Sequence, residues 1–335
     1  MMRAFVYAAV VAAMVAFGFG VYHAAAVLKT THREVIRPTA QSGPSLAGTV
    51  YVAQDGALYR LEGGRFTQIT DNAGWTEPAV SPDGTQLAAV RRIGNYSDVY
   101  LLSTQGRVIK QLTHHSARQA EYNHWSFFPR FSADGTKVFY SYDAKDPGSY
   151  EVDLAIFSLD INTGVAVQWT EPNPYTGGDV DPIPMKDGRL LYTKYSIDEK
   201  SQVHSQLWLQ AGPGTEGVAL TQPEDNCASP ALAPDGSTVA MICRRDQLQS
   251  ADVVTETFAG DVTLSAPVVL ASGRLAAAPA FAPDGHTVVF LAPVEPGGAF
   301  QLWSVPVTTT ASGAAAKALT SSVGLDATSA PAWAR

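Results

Sequence analysis

The chain has 335 residues, 46% hydrophobic and 16% charged, with 28 Gly, 21 Pro, 2 Cys and a net charge of −8. That apolar content excludes a disordered chain, and the absence of a three- or seven-residue repeat excludes collagen and coiled coil. A single long uncharged apolar run excludes a polytopic membrane protein, and the acidic balance argues against nucleic acid as a partner, because phosphate binding needs a basic face.

The apolar run comes first. Ala4 to Leu28 contains no Asp, Glu, Lys or Arg. As a helix it would extend about 37 Å, enough to cross a hydrocarbon core of about 30 Å. Residues 1–28 are expected to be either an uncleaved signal-anchor transmembrane helix or a secretory signal peptide cut near Ala24-Ala25-Ala26. Lys29, Arg33 and Arg37 follow the run and only Arg3 precedes it, which by the positive-inside rule would hold the remainder in the cytoplasm. The cysteines discussed below argue for export, and export is the reading adopted. Residues 29–47 carry Lys, Thr, Arg, Pro, Ser and Gly without an apolar period and read as a linker.

From residue 48 onward the chain repeats itself. Asp-Gly recurs at Asp83-Gly84, Asp134-Gly135, Asp187-Gly188, Asp235-Gly236 and Asp284-Gly285, a period of about 50 residues. A proline stands at a fixed distance before each: Pro78, Pro129, Pro182, Pro230 and Pro279. A β-rich run follows each turn, as in Gln86–Val90 or Thr287–Leu291, and each unit closes on a Leu-Thr-like mark such as Leu112-Thr113 or Leu319-Thr320. In Ser81-Pro82-Asp83-Gly84 the proline presets φ and the glycine supplies a positive φ, so the segment is a turn joining two short strands. Two further strands complete each unit, and four strands per unit of this length make a propeller blade.

Five full units lie between Thr76 and Thr320, and the chain ends supply a sixth. Ala330-Pro331-Ala332-Trp333 resembles a first strand, and Thr49–Val52 with the segments up to Thr70 resembles the other three. The expected fold is all-β: a six-bladed propeller over 48–335, closed by one C-terminal and three N-terminal strands and preceded by the N-terminal apolar helix. Closure of this kind removes free sheet edges.

Cys227 and Cys243 stand at equal distances on either side of Asp235. Antiparallel pairing about that turn sets them opposite one another, where a disulfide is possible in a non-hydrogen-bonded pair. The other reading is two buried free thiols. A bridge would fit an oxidising compartment.

The repeated Pro-x-(apolar)-Ser/Ala-Pro-Asp-Gly hairpin, at Pro78–Gly84, Pro129–Gly135, Pro230–Gly236 and Pro279–Gly285, resembles the TolB-like family of six-bladed β-propellers. The resemblance covers residues 48–335. TolB carries an α/β domain before its propeller, where this chain has only the apolar segment and the linker, so TolB's partner contacts are not carried over residue by residue. Similar propellers form the gates of prolyl-oligopeptidase-type enzymes and some lyases of pectin fragments.

Motifs for chemistry are sparse. Gly-x-Ser-x-Gly, His-Glu-x-x-His and the phosphate-binding Gly-Lys-Ser/Thr are absent from the sequence. Gly212–Gly217 matches the dinucleotide fingerprint as a string, but it lies between two predicted strands and reads as a turn. The most polar cluster falls between the first two full units: His114, His115, Tyr122, His124 and Trp125, with Trp75 on the equivalent connection before. Outer-to-inner connections share one face of a propeller, so these six are the candidate binding residues. The alternatives are a metal site completed by Glu121 or Asp179, and an ordinary wet surface with Trp75 wedged between blades. Asp179, Asp181, Asp225 and Asp326 occupy equivalent connections and read as solvated carboxylates on an acidic face.

The expected function is a non-enzymatic, membrane-anchored interaction module or accessory subunit of an envelope membrane complex, with its propeller periplasmic or otherwise extracytoplasmic. No catalytic residue, metal or cofactor is assigned. The alternatives are a carbohydrate-active lyase or hydrolase using the loop histidines, and a ligand-binding sensor module.

Overall fold

The computed structural model describes residues 46–145, 153–244, 250–308 and 315–334. The apolar segment 4–28 and nearly all of the linker 29–47 lie outside the described residues. The rest forms six four-stranded antiparallel sheets.

Blade 1 comprises Trp75–Val80, Gln86–Ile93, Tyr96–Ser103 and Val108–Gln111; blade 2 comprises Ser126–Phe131, Lys137–Asp143, Leu154–Asp160 and Ala166–Gln168. Blade 3 runs through Asp179–Pro184, Leu190–Ile197, Val203–Gln210 and Gly217–Ala219, and blade 4 through Cys227–Leu232, Thr238–Cys243, Asp252–Thr257 and Val268–Ala271. Blade 5 is Ala277–Phe281, Thr287–Pro293, Phe300–Pro306 and Lys317–Ala318. Blade 6 is stitched from both ends: Ala332–Ala334 pairs with Thr49–Gln54, followed by Ala57–Glu62 and Arg65–Gln68. The register sets Val50 opposite Trp333, and the Trp333 indole donates to the Ala47 carbonyl at 2.8 Å. The closure expected from the sequence is the closure observed.

The sequence marks have physical reasons. In the first turn the Gly84 amide donates to the Ser81 carbonyl at 2.9 Å, and Gly84 has φ 72°. The Asp83 carboxylate accepts from the Ser81 hydroxyl at 2.6 Å and from the Thr85 amide at 3.1 Å. Asp134 does the same with Ser132 and Thr136. The closing threonines do a second job. The hydroxyl oxygens of Thr70, Thr113, Thr170, Thr221 and Thr320 accept the amides of Leu58, Val99, Ile156, Leu207 and Leu302 at 2.8–3.0 Å. Each bond ties the end of an outer strand to its neighbour within the blade.

Apolar side chains fill the seams between blades. Leu87, Tyr100 and Trp75 pack with Tyr51 and Leu58 between blades 6 and 1, and Val90, Val99 and Leu101 with Val138 and Tyr140 between blades 1 and 2. Trp169 lies in the seam between blades 2 and 3, and Trp303 in that between blades 4 and 5. Cys227 and Cys243 are directly paired in register and joined by a disulfide. Their Cα separation of 4.1 Å is that of a non-hydrogen-bonded pair.

The turn carboxylates predict acid sensitivity. Hydrogen bonds from Ser81 and Thr85 lower the pKa of Asp83, those from Ser132 and Thr136 hold Asp134 at about 2, and those from Ser237 lower Asp235. A depressed native pKa contributes stability that is present above the unfolded value of about 3.9 and is lost as pH falls through the native one. Chemical-denaturation midpoints should therefore fall steeply between about pH 4 and pH 2. Replacing Asp83, Asp134 and Asp235 together with Asn should flatten that limb, and an unchanged limb would remove this account.

Candidate functional site

The first strand of every blade faces the axis, and five of the six carry the same irregularity. Glu77, Phe128, Asp181, Ser229 and Ala278 each precede the repeated proline, and each has a positive φ of 52–55°. At each the register slips by a bulge, between Thr76 and Ala79, Phe127 and Arg130, Val180 and Ile183, Ala228 and Ala231, and Ala277 and Ala280. A bulge re-aims a side chain out of the alternation of a strand. Left-handed non-glycine residues are strained by about 1–3 kcal/mol and persist only where their surroundings fix them.

The fixing groups run from blade to blade. The Glu77 amide donates to the Ser329 hydroxyl at 2.8 Å, and the Glu77 carboxylate accepts the Phe128 amide of blade 2. Asp181 of blade 3 is bonded to Ser229 of blade 4, whose amide also donates to Thr193 at 3.2 Å. The residues before the prolines thus form an inner ring that is clamped across three seams, between blades 6 and 1, 1 and 2, and 3 and 4.

This ring constricts the axial channel into two chambers. The wide chamber, about 890 Å³, is bounded by Glu77, Phe128, Asp181, Ser229, Ala278 and Ala330, one from each blade. The second, about 710 Å³, lies on the side of the Pro-Asp-Gly turns. Arg130, Pro230, Pro279 and Ala330 line both and form the waist.

The wide chamber holds five charged side chains, Arg92, Arg130, Arg244, Glu77 and Asp181. Arg92 is paired with Glu77 at 2.5 Å, and its guanidinium lies 5.0 Å over the Phe127 ring. Burial raises Glu77 to about 7 against the pull of Arg92, and raises Asp181 to about 6 against the pull of Arg130. Arg130 donates to the Pro129 carbonyl at 2.9 Å. At neutral pH the three arginines outweigh the two carboxylates, so the chamber is net basic.

The predicted site residues divide among three places. His115 and His124 come together: their rings are 6.1 Å apart and both lie against Tyr142, at 4.8 and 5.4 Å. The His115 Nε2 is 2.7 Å from the Ser126 hydroxyl, and the His124 Nδ1 is 2.8 Å from the Asp143 carbonyl. Burial, with the neighbouring His124 and His114, pushes His115 down to about 4, so it is neutral at physiological pH. His114 and Tyr122 are exposed on the same connection. Trp125 stacks on Phe127 at 5.8 Å, which carries the aromatic surface to the chamber mouth. Trp75 sits elsewhere, buried in the seam between blades 6 and 1, where it donates to Asp71 at 2.9 Å and meets the Tyr100 ring edge-on.

Two of the acidic residues differ from the expectation. Asp179 is fully buried and paired with Lys194 at 3.1 Å, and Asp181 belongs to the inner ring, so neither is a solvated surface carboxylate. Asp179 is held by its ion pair with Lys194, and Asp181 by Ser229. Among the described residues, no three His, Cys, Asp or Glu side chains come together to hold a metal ion. Gly212–Gly217 is a turn between the third and fourth strands of blade 3.

Glu77, Arg92, Arg130 and Tyr142 were missed by motif reading. The signal for the first was present: the residue before each repeated proline changes from Glu to Phe, Asp, Ser and Ala while the proline stays. A variable position beside a fixed one marks where a shared scaffold differs from blade to blade.

No protein-family model and no curated protein matches the chain. Solved structures do. TolB from Acinetobacter baumannii is 20% identical over 88% of this chain and 68% of its own, with a TM-score of 0.64. A putative TolB from Agrobacterium tumefaciens is 16% identical over 85% of this chain and 92% of its own, with a TM-score of 0.58. A gluconolactonase from Xanthomonas campestris is 15% identical, covers 86% of this chain and 90% of its own, and has a TM-score of 0.52. At these identities the likeness establishes architecture, and the same architecture serves both binding and catalysis. The described body of the chain has the TolB-like six-bladed propeller fold.

Proposed function

We propose that the chain is a non-enzymatic interaction module of the cell envelope, anchored by its apolar segment 4–28 and acting as an accessory subunit of a neighbouring membrane protein complex. The wide chamber and the aromatic connection beside it form its working face. The observation that carries this reading is the bonding of the inner ring. Glu77 is committed to Arg92 and the Phe128 amide, and Asp181 to Ser229. Charges held in this way present a fixed pattern to a partner. Trp125 and Phe127 at the rim supply the aromatic anchors on which such interfaces depend. The disulfide supports an oxidising, extracytoplasmic compartment, and the TolB structures lend the architecture of an envelope protein.

The test is co-purification. The full chain, captured in mild detergent from its own cells, should bring down one enriched membrane-protein companion, identified by mass spectrometry. A Trp125→Ala, Phe127→Ala double variant should lose that companion by about tenfold or more while keeping its unfolding midpoint within a few degrees. A clean monomer with no companion would remove the reading.

A further inference from the structure

The chamber's charge is not fully spent. Among the described residues, the Arg244 guanidinium has no hydrogen-bonded or ion-paired acceptor, although the residue lines the chamber. Arg92 uses one terminal nitrogen on Glu77, and its Nε is buried without a partner. Arg130 stands at the waist. Three arginines therefore face two carboxylates inside a chain whose net charge is −8. The chamber is a basic spot in an acidic molecule.

Its walls are apolar. Phe128, Val180 and Ile242 line the interior, Phe127 lines the mouth, and Val203 and Leu275 line the rim, where they are 53% and 39% exposed. A planar guanidinium fork is suited to a carboxylate, which it holds with two parallel donors. Apolar walls around such forks favour a carboxylate attached to an apolar group and disfavour a fully hydrated ion.

We propose that the wide chamber is a receptor for a free carboxylate borne on an apolar body, with Arg244 holding the anion and the aromatic and aliphatic walls holding the body. Two sources share that chemistry: the C-terminus of a protein chain ending in an apolar residue, and a small organic acid. The inference rests on the wide chamber being the working face.

The experiment is titration calorimetry on the full chain in detergent micelles. The probes are acetyl-Ala-Ala-Phe as the free acid, the same peptide as its C-terminal amide, and N-acetylphenylalanine. The free-acid peptide should bind at least about tenfold more tightly than the amide, because the amide brings no charge to the guanidinium forks. Affinity should fall as salt rises. R244Q should weaken the acid by about tenfold with an unchanged unfolding midpoint, since among the described residues that side chain has no acceptor to lose. Binding by the peptide acid alone identifies a chain terminus as the source; equal binding by N-acetylphenylalanine identifies a small acid. Acid and amide binding alike, R244Q binding like the parent chain, or no heat from either acid at millimolar concentration would overturn the proposal. A companion that co-purifies while neither acid binds would leave the interaction module standing and remove the carboxylate site. Acid binding with no companion would do the reverse.

Discussion

Glu77→Ala is expected to lower stability by about 3–5 kcal/mol at pH 7, the cost of breaking a buried ion pair from one side. Glu77 is 2% exposed, and its carboxylate has two partners, the Arg92 guanidinium and the Phe128 amide. Truncation leaves both unanswered and withdraws the clamp between blades 1 and 2. Arg92 is 38% exposed toward the chamber, so hydration recovers part of its loss and the lower end of the range applies. Glu77→Gln should cost less, about 1 kcal/mol, because an amide oxygen still accepts the Phe128 amide. Both variants also differ from the parent in pH dependence, because neither titrates at position 77. Burial raises Glu77 to about 7 in the folded chain, above an unfolded value near 4.3. A raised carboxyl pKa contributes stability that is complete below the unfolded value and is lost as pH rises through the native one. Denaturation midpoints of the parent chain should therefore decline between about pH 4.3 and pH 7, with Asp179 and Asp181, both raised to about 6, contributing to the lower part, and Glu77→Gln should remove the part of the decline between about pH 6 and pH 7. A parent profile that is flat or rising across this range, or a Glu77→Ala midpoint equal to the parent's, would show that Glu77 does not act as the clamp described.

The architecture was legible because it is written in short-range chemistry. Pro82-Asp83-Gly84 demands a turn wherever it stands, and Thr113 marks a strand end because its hydroxyl accepts a specific amide, that of Val99. Both signals are local and both recur. Even the closure between Thr49–Gln54 and Ala332–Ala334 followed from counting strands in a repeating unit. The inner ring was not legible in the same way. Glu77 meets Phe128, and Asp181 meets Ser229, only across a seam between blades. Nothing within one unit says what the next will present to it. The histidines fell between these cases. His115 and His124 are close in sequence, so their proximity was foreseeable, but Tyr142, which packs against both, comes from the second strand of the following blade. From the sequence Asp179 reads as solvated because a connection normally is wet, whereas the chain enters the wall at that residue.

Removing the disulfide is expected to lower stability by about 3 kcal/mol, the chain-entropy value for a closed loop of roughly 15 residues. The bridge joins residues 16 apart and closes the hairpin that contains the Asp235-Gly236 turn. In a domain of this size the loss corresponds to a melting temperature about 5 °C lower. Both cysteines are 1% exposed, so reductant should act only when the hairpin opens. The oxidised chain should keep its bridge in native buffer with dithiothreitol and lose it once denaturant is added. A Cys227→Ala, Cys243→Ala variant should melt at the temperature of the reduced chain, lowered further by the small cavity left at each site. The effect should also reach the channel. Asn226 and Ala228 flank one cysteine, Ile242 and Arg244 flank the other, and all four line the wide chamber. The bridge therefore fixes the register of the strands that position Arg244. If so, the double variant should weaken acetyl-Ala-Ala-Phe at a temperature where it is still fully folded, by more than R244Q spares. Unchanged melting on reduction would remove the bridge as a stabilising element. Unchanged peptide affinity in the double variant would show that the remaining strand pairs between Cys227–Leu232 and Thr238–Cys243 hold that wall without it.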